Sequence, residues 1–270
     1  MAPTDEDPRA LVAEVFSDAA PAYDQVIRFF DPFGRALVAA AGIEPGQRVL
    51  DVACGRGACL YPALEAVGPT GSVLGVDLAP GMVEALGAEL AARGVANATT
   101  QVGDAEALDL RDGAFDVVTG GFMIFFLPEP DRALAEFARV LRPGGTVALT
   151  IFDGDTPSAW LRQVGEELFG SQDRRASEAY DDAAVLAEAL GRAGLVDVDG
   201  IDVLERFRFA SLDQLEAWHR SHFARLLLEV LDDEQLAHYR RRMAELLGPH
   251  RVGDGYELAQ RARVVVARRP

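Results

Sequence analysis

Near the start of the chain, apolar positions recur at helical spacing. Leu11, Val12, Val15 and Phe16 predict a first helix, broken by residues 18–21. Tyr23, Val26, Ile27, Phe29 and Phe30 form a second apolar cluster, and 33–41 reads as a further helix closing at Gly42. From residue 47 the pattern changes to short apolar runs separated by amphipathic stretches. The runs at 48–53, 72–77, 99–102, 115–119 and 146–152 read as strands. The stretches at 59–67, 81–93 and 131–141 read as helices, with Pro62 in a first turn, where proline is tolerated. Arg142-Pro143-Gly144-Gly145 stops the last of them. Beyond Asp153 the register is less regular. A helix is expected at 160–169, a polar surface loop or lid at 171–182, and a helix at 183–193 ending at Gly194. An extended segment at 196–209 carries an irregularity at Gly200. A long helical stretch at 212–247, broken near Asp232 and Asp233, precedes a final strand at 264–267.

Apolar strands alternating with amphipathic helices specify an α/β fold, with a mainly parallel sheet covered by helices on both faces. The helical stretch before the last strand reads as an insertion between the final two strands. We expect one domain over 1–270: N-terminal helices at 1–46, a first half at 47–152, and a second half at 153–270 with its helical insertion at 211–248.

Composition narrows the classes. With 270 residues, 49% of them apolar, the chain can bury a full core. Its net charge of −17 speaks against a nucleic-acid partner, because phosphate binding needs a basic face. Lysine is absent, and every strong base is arginine. Two cysteines, Cys54 and Cys59, make neither a disulfide framework nor a zinc site. No apolar run approaches the ~20 residues of a membrane span. The acidic start of the chain lacks a secretory pattern, so a cytoplasmic location is expected.

The chemistry gathers at a strand, glycine turn and helix. The run Val49 to Val52 ends beside Asp51, and Gly55 and Gly57 allow positive φ and close ligand approach. In a dinucleotide fingerprint a third glycine would follow; here Leu60 stands in that place, against a dehydrogenase. Leu-Asp-Val-Ala-Cys-Gly-Arg-Gly (50–57), Val-Leu-Gly-Val-Asp-Leu-Ala-Pro-Gly-Met (73–82), Gly103-Asp104-Ala105 and Leu-Arg-Pro-Gly-Gly (141–145) follow in order. Together they resemble the class I S-adenosylmethionine-dependent methyltransferases. Ala-Tyr-Asp (22–24) and Phe-Phe-Leu-Pro-Glu-Pro (125–130) are similar to the ubiquinone/menaquinone-biosynthesis group and its natural-product relatives.

The resemblance implies a Rossmann-like, doubly wound sheet of seven strands, mainly parallel with an antiparallel last strand, and S-adenosylmethionine as cofactor. It places Asp77 on the ribose hydroxyls, and Ala53, Gly55 and Gly57 at the amino-acid end with Asp51 orienting the turn. It puts Asp104 and the Ala105 N–H on the adenine edge, and Leu78 and Met82 on its faces. Gly120 and Phe122 follow the fourth strand, where the methyl group emerges. Tyr23 is either a contact closing over that arm or a core residue, and Asp104 is either a ligand or a loop cap.

Methyl transfer depends mostly on positioning, with a base where a proton must leave. His219, His222 and Asp153 are the candidate bases; the alternative readings are surface or cap-packing histidines and, for Asp153, a solvated loop residue. Glu216 with the two histidines is an incomplete ligand set, so no metal is expected. The many aromatics after Phe122 mark an apolar acceptor pocket for an aromatic, quinone-like, prenyl or polyketide molecule. Transfer to oxygen or carbon is the leading reading. A non-methylating enzyme such as a cyclase, holding S-adenosylmethionine structurally, is the alternative. Monomer and homodimer both stay open.

Overall fold

In chain order the computed structural model runs α1 (Pro8–Ala19), α2 (Asp31–Ala41), β1 (Arg48–Val52), α3 (Leu60–Val67), β2 (Ser72–Asp77), α4 (Pro80–Ala92), β3 (Ala98–Val102), β4 (Phe115–Gly121), α5 (Pro130–Val140) and β5 (Leu141–Asp153). It continues with α6 (Pro157–Phe169), α7 (Ala183–Arg192), β6 (Val196–Phe209), α8 (Leu212–Arg220), α9 (Arg225–Glu229), α10 (Asp233–Leu247), β7 (Arg251–Val252) and β8 (Gly255–Arg268). The structure describes residues 7–154, 157–170 and 176–270. Of the polar stretch expected as a loop or lid, 171–175 lie outside the described residues.

The sheet order is β3-β2-β1-β4-β5-β8-β6, with β7 hairpinned onto β8. β1 to β5 pair in parallel, whereas β8 is antiparallel to both β5 and β6. The seven expected strands are therefore present, and the two-residue β7 makes an eighth. β1 lies between β2 and β4, buried from Val49 onward, which explains an apolar run interrupted only by Asp51. The chain leaves β1 toward β2 on one side and later returns to β4 on the other. That reversal opens a crevice beyond the carboxyl ends of the strands, where open α/β sheets bind ligands.

One face of the sheet packs on α2, α3 and α4 through Leu37, Leu60, Ala63 and Leu86. The other packs on α5 and α7 through Phe137, Leu186 and Leu190. A third apolar cluster, including Phe29, Phe33, Phe209, Trp218 and Tyr239, joins the α8–α10 cap to the segment before α2. The cap lies between β6 and β8 in sequence. Asp232 starts α10 with a reciprocal cap: its carboxylate accepts from Gln235 N–H, and the Gln235 side chain accepts from Asp232 N–H.

Several boundaries differ from the sequence pattern. The cluster 23–30 is turn followed by irregular backbone, and its aromatics pack in several directions. The Arg142 to Gly145 turn lies inside β5 as a register shift against β4. In β6 the irregularity falls between Val196 and Asp199, with Asp197 at φ 52°, not at Gly200. The long helical stretch is three helices, and His222 lies just beyond the end of α8.

Candidate active site

Beyond the ends of β1, β2, β4 and β5 lies a cavity of ≈ 1180 Å³. That exceeds the roughly 300–1,000 Å³ of a pocket for one small molecule, so a cofactor and an acceptor have room together. Backbone strain collects in its wall. Among the described residues, the non-glycines at positive φ are Asp24, Ala53, Phe122 and Asp197, and the first three line the cavity.

At one end the glycine turn is stapled to the second strand. Asp77 is buried; its Oδ2 accepts from Gly55 N–H at 2.8 Å and its Oδ1 from Ala79 N–H at 2.9 Å. Burial raises its carboxyl above the usual range, against the lowering pull of these N–H groups. Each oxygen keeps a further lone pair for a ribose hydroxyl. Leu78, Met82 and Ala105 supply apolar wall around it.

Asp51 is also buried. Thr119 Oγ1 donates to its Oδ1 at 2.8 Å, while Oδ2 has no hydrogen-bond partner. Burial pushes this carboxyl up to about 7, with Asp77 adding to the rise and Thr119 opposing it. An unpaired carboxyl oxygen in the cavity wall fits a ligand ammonium group, whose charge favours the ionised form. The donor set thus fits S-adenosylmethionine: Asp77 for the ribose, Leu78 and Met82 for the adenine faces, and Asp51 for the amino end.

Other expected contacts are placed differently. Gly57 is not in the cavity wall: its N–H donates to Cys54 O, and a Cβ there would meet Tyr61 and Leu86. Gly120 is likewise off the wall, because a Cβ there would meet Leu149, and the strand pleat turns Gly121 toward the cavity instead. Asp104 lines the cavity with its carboxylate already engaged. Oδ1 accepts from Glu106 N–H at 2.9 Å, and Oδ2 lies 3.0 Å from Arg9 Nε. Arg9, which also pairs with Glu106, carried no motif and was not expected here.

Tyr23 sits between the two ends. Its ring stacks on Phe30 and lies 4.6 Å from that of His222, centroid to centroid. Desolvation, with Asp24 and Asp77 nearby, pushes its phenol well above the ordinary range. Phe122 packs on Phe152 at 4.4 Å, and both rings line the cavity.

The far end is aromatic with unpaired polar atoms. His219 and His222 both line the cavity, whereas Glu216 is taken by Arg220 and Arg240 and does not join them. His219 Nδ1 is 2.8 Å from Tyr239 Oη, and its Nε2 has no partner. Burial pushes His219 down to about 3, with His222 adding to the fall and Glu216 opposing it. His222 Nδ1 lies 2.7 Å from Trp218 O and 2.9 Å from Ser221 Oγ. A carbonyl only accepts, so Nδ1 carries a hydrogen, and when the ring is neutral its Nε2 presents a lone pair. That Nε2 is 3.6 Å from Asp24 Oδ1; both atoms are buried and lack hydrogen-bond partners. Asp24 escaped sequence reasoning, since its only signal is the Ala-Tyr-Asp resemblance. Asp153 stands exposed at the rim. Among the described residues, no group of three or more His, Cys, Asp or Glu could hold a metal, and no helix is long and apolar enough to cross a membrane.

A family model described as a methyltransferase domain matches residues 49–145. The chain is 33% identical over 259 residues to the nocamycin O-methyltransferase of Saccharothrix syringae, spanning 88% of this chain and 91% of that protein. It is 42% identical over 147 residues to the aklanonic acid methyltransferase DauC of Streptomyces sp. (strain C5), spanning 54% and 67%. In fold it resembles the Haemonchus contortus phosphoethanolamine N-methyltransferase 2 in complex with S-adenosyl-L-methionine, with a TM-score of 0.61 at 18% identity over 98% of this chain and 60% of that one.

Proposed function

The chain belongs to the class I S-adenosylmethionine-dependent methyltransferases of the small-molecule group, and on that premise we propose that it methylates a hydroxyl oxygen of an apolar, conjugated secondary metabolite, with His222 as general base. The observation that carries this reading is the unpaired His222 Nε2 lone pair facing Asp24 Oδ1 at 3.6 Å in the aromatic end of the cavity.

When bound, S-adenosylmethionine supplies an already activated methyl group on a sulfonium. The protein's share is then placement and proton removal. Phe30, Phe122 and Phe152 give a planar acceptor apolar surface and keep water from the reacting oxygen. His222 Nε2 takes the hydroxyl proton as that oxygen attacks. Asp24 faces the imidazolium that results and stabilises it. Trp218 O and Ser221 hold the ring by its other nitrogen. The acidic charge supports a small-molecule acceptor over nucleic acid, and the two free buried cysteines fit a reducing cytoplasm.

The test is transfer of label from methyl-labelled S-adenosylmethionine to hydroxylated aromatic acceptors. His222→Gln is expected to lower kcat by roughly 10²- to 10⁴-fold while leaving cofactor affinity unchanged. An unaltered kcat would remove His222 as the base. A converted product lacking label would replace methylation with the cyclase reading.

A further inference from the structure

The base and its carboxylate leave part of the acceptor end unused. Trp218 is buried in the cavity wall, packed on Phe29 at 4.8 Å and Phe209 at 5.7 Å. Its Nε1 has no hydrogen-bond partner. An indole N–H is a donor only, so it can be satisfied only by an acceptor brought from outside.

His219 Nε2 is the second such atom. Tyr239 Oη makes no other hydrogen bond among the described residues, so donating to His219 Nδ1 is the arrangement that leaves no phenol O–H unpaired. His219 then carries its hydrogen on Nε2, where it also lacks an acceptor. Two buried N–H groups from adjacent residues therefore stand unanswered in one cavity. Both histidine rings lie close to the Trp218 ring, at 5.2 Å for His219 and 5.1 Å for His222. The donors and the base are thus within reach of one small ligand. Burying N–H groups this way is unfavourable until a ligand oxygen meets them.

We propose that Trp218 Nε1–H and His219 Nε2–H bind a carbonyl oxygen of the methyl acceptor, whose methylated hydroxyl is conjugated with that carbonyl. The acceptor class is a carboxylic acid or its vinylogue, meaning a hydroxyquinone or an enolised 1,3-dicarbonyl, rather than a simple phenol. The assignment rests on the proposed function, because it places the hydroxyl at His222. The chemistry is consistent with a neutral histidine as base: conjugation makes the hydroxyl acidic, and the two donors stabilise the charge that spreads to the carbonyl as the proton leaves.

Equilibrium binding of four probes separates this from packing alone and needs no turnover. The probes are 1-naphthol (hydroxyl only), 1,4-naphthoquinone (carbonyl only), 2-hydroxy-1,4-naphthoquinone and 1-naphthoic acid, each titrated calorimetrically into the full chain with S-adenosylhomocysteine present. At least one of the last two is expected to bind about tenfold or more tightly than 1-naphthol, and the one preferred identifies the acid or its vinylogue. Trp218→Phe keeps the ring and should erase that preference without weakening 1-naphthol. Tyr239→Phe removes the donor that fixes the His219 tautomer and should lower that preference only part-way, because a ligand carbonyl can still select Nε2–H. Equal binding of all four probes to the parent, or an equal effect of Trp218→Phe on every probe, overturns the proposal. The base assignment fails on a different readout, kcat of His222→Gln.

Discussion

The two ends of the cavity treat their polar groups in opposite ways. At the cofactor end, Asp77 staples the glycine turn to the start of α4, and Asp104 closes its own turn and meets Arg9 from α1. These groups are held before any ligand arrives. At the acceptor end, Asp24 Oδ1, Trp218 Nε1, His219 Nε2 and His222 Nε2 are buried without hydrogen-bond partners. One end is pre-organised except at Asp51 Oδ2, and the other is completed by what it binds. Under the proposed function, shared cofactor chemistry belongs to the stapled end and substrate choice to the unpaired one.

The sharpest way to break this division is Asp77→Asn. It removes the negative charge from the ribose site and turns an amide NH₂ against one of two N–H donors. Cofactor binding should weaken by about 2–4 kcal/mol, roughly 30- to 1,000-fold. Acceptor-probe binding should hold, since no acceptor-end residue bonds to Asp77. Calorimetry with each ligand alone checks this. Parallel loss of both affinities would mean that the two ends are one cooperative unit.

Asp51 and His219 sharpen the comparison through pH. Asp51 is raised from 3.8 to about 7, so the fold holds its proton where the unfolded chain has released it. Its contribution to stability is complete below pH 3.8 and declines as pH rises toward 7. His219 is lowered from 6.5 to about 3, so its contribution is complete above 6.5 and declines as pH falls toward 3. Each slope is about 1.4 kcal/mol per pH unit. Between pH 3.8 and 6.5 they have opposite signs and offset each other. Asp51→Asn keeps only the histidine slope. Its unfolding free energy should rise with pH across that window more steeply than the parent's, by about 1.4 kcal/mol per unit. Denaturant titrations at several pH values give the difference, in which titrations common to both proteins cancel. Parallel curves would show that Asp51 is ionised throughout.

The same division explains what could be read from the chain. Asp51, Ala53, Gly55 and Asp77 lie at the ends of neighbouring strands, so local spacing alone brings them together. The glycines were less informative, since glycine marks close approach without saying to what. Gly57 makes room for Tyr61 and Leu86, and one step of the pleat decides between Gly120 and Gly121. The acceptor end draws Asp24 from a turn, Phe122 from beyond β4 and Trp218 to His222 from the cap; only tertiary packing joins them. β8 was read as four residues because Glu257, Gln260, Arg261 and Arg263 interrupt its apolar run. It extends over Gly255–Arg268 because β6 pairs with it well past the end of β5.

The smallest expected effect concerns α1, a helix that touches both ends. Arg9 reaches Asp104 and Glu106 at the cofactor end. Phe16 lies 5.3 Å from Phe126 and 5.9 Å from Phe223, and Asp18 pairs with Arg225 of α9 at 3.2 Å. The helix is therefore anchored by one ion-pair cluster at each side of the cavity. Arg9→Met keeps most of the aliphatic stem and removes the charge. Glu106 is almost fully buried, but Arg9 is partly exposed, so the loss should be about 1 kcal/mol rather than that of a wholly buried pair. Cofactor affinity should fall only a few-fold, and the salt dependence of α1 protection should diminish with it. Amide hydrogen exchange is the direct readout, with α1 exchanging faster in the variant and the β1–β2 turn unchanged. If α1 protection stays as in the parent, the helix is held by its apolar face and Ser17's contact with Gly81, and the cofactor end owes nothing to Arg9.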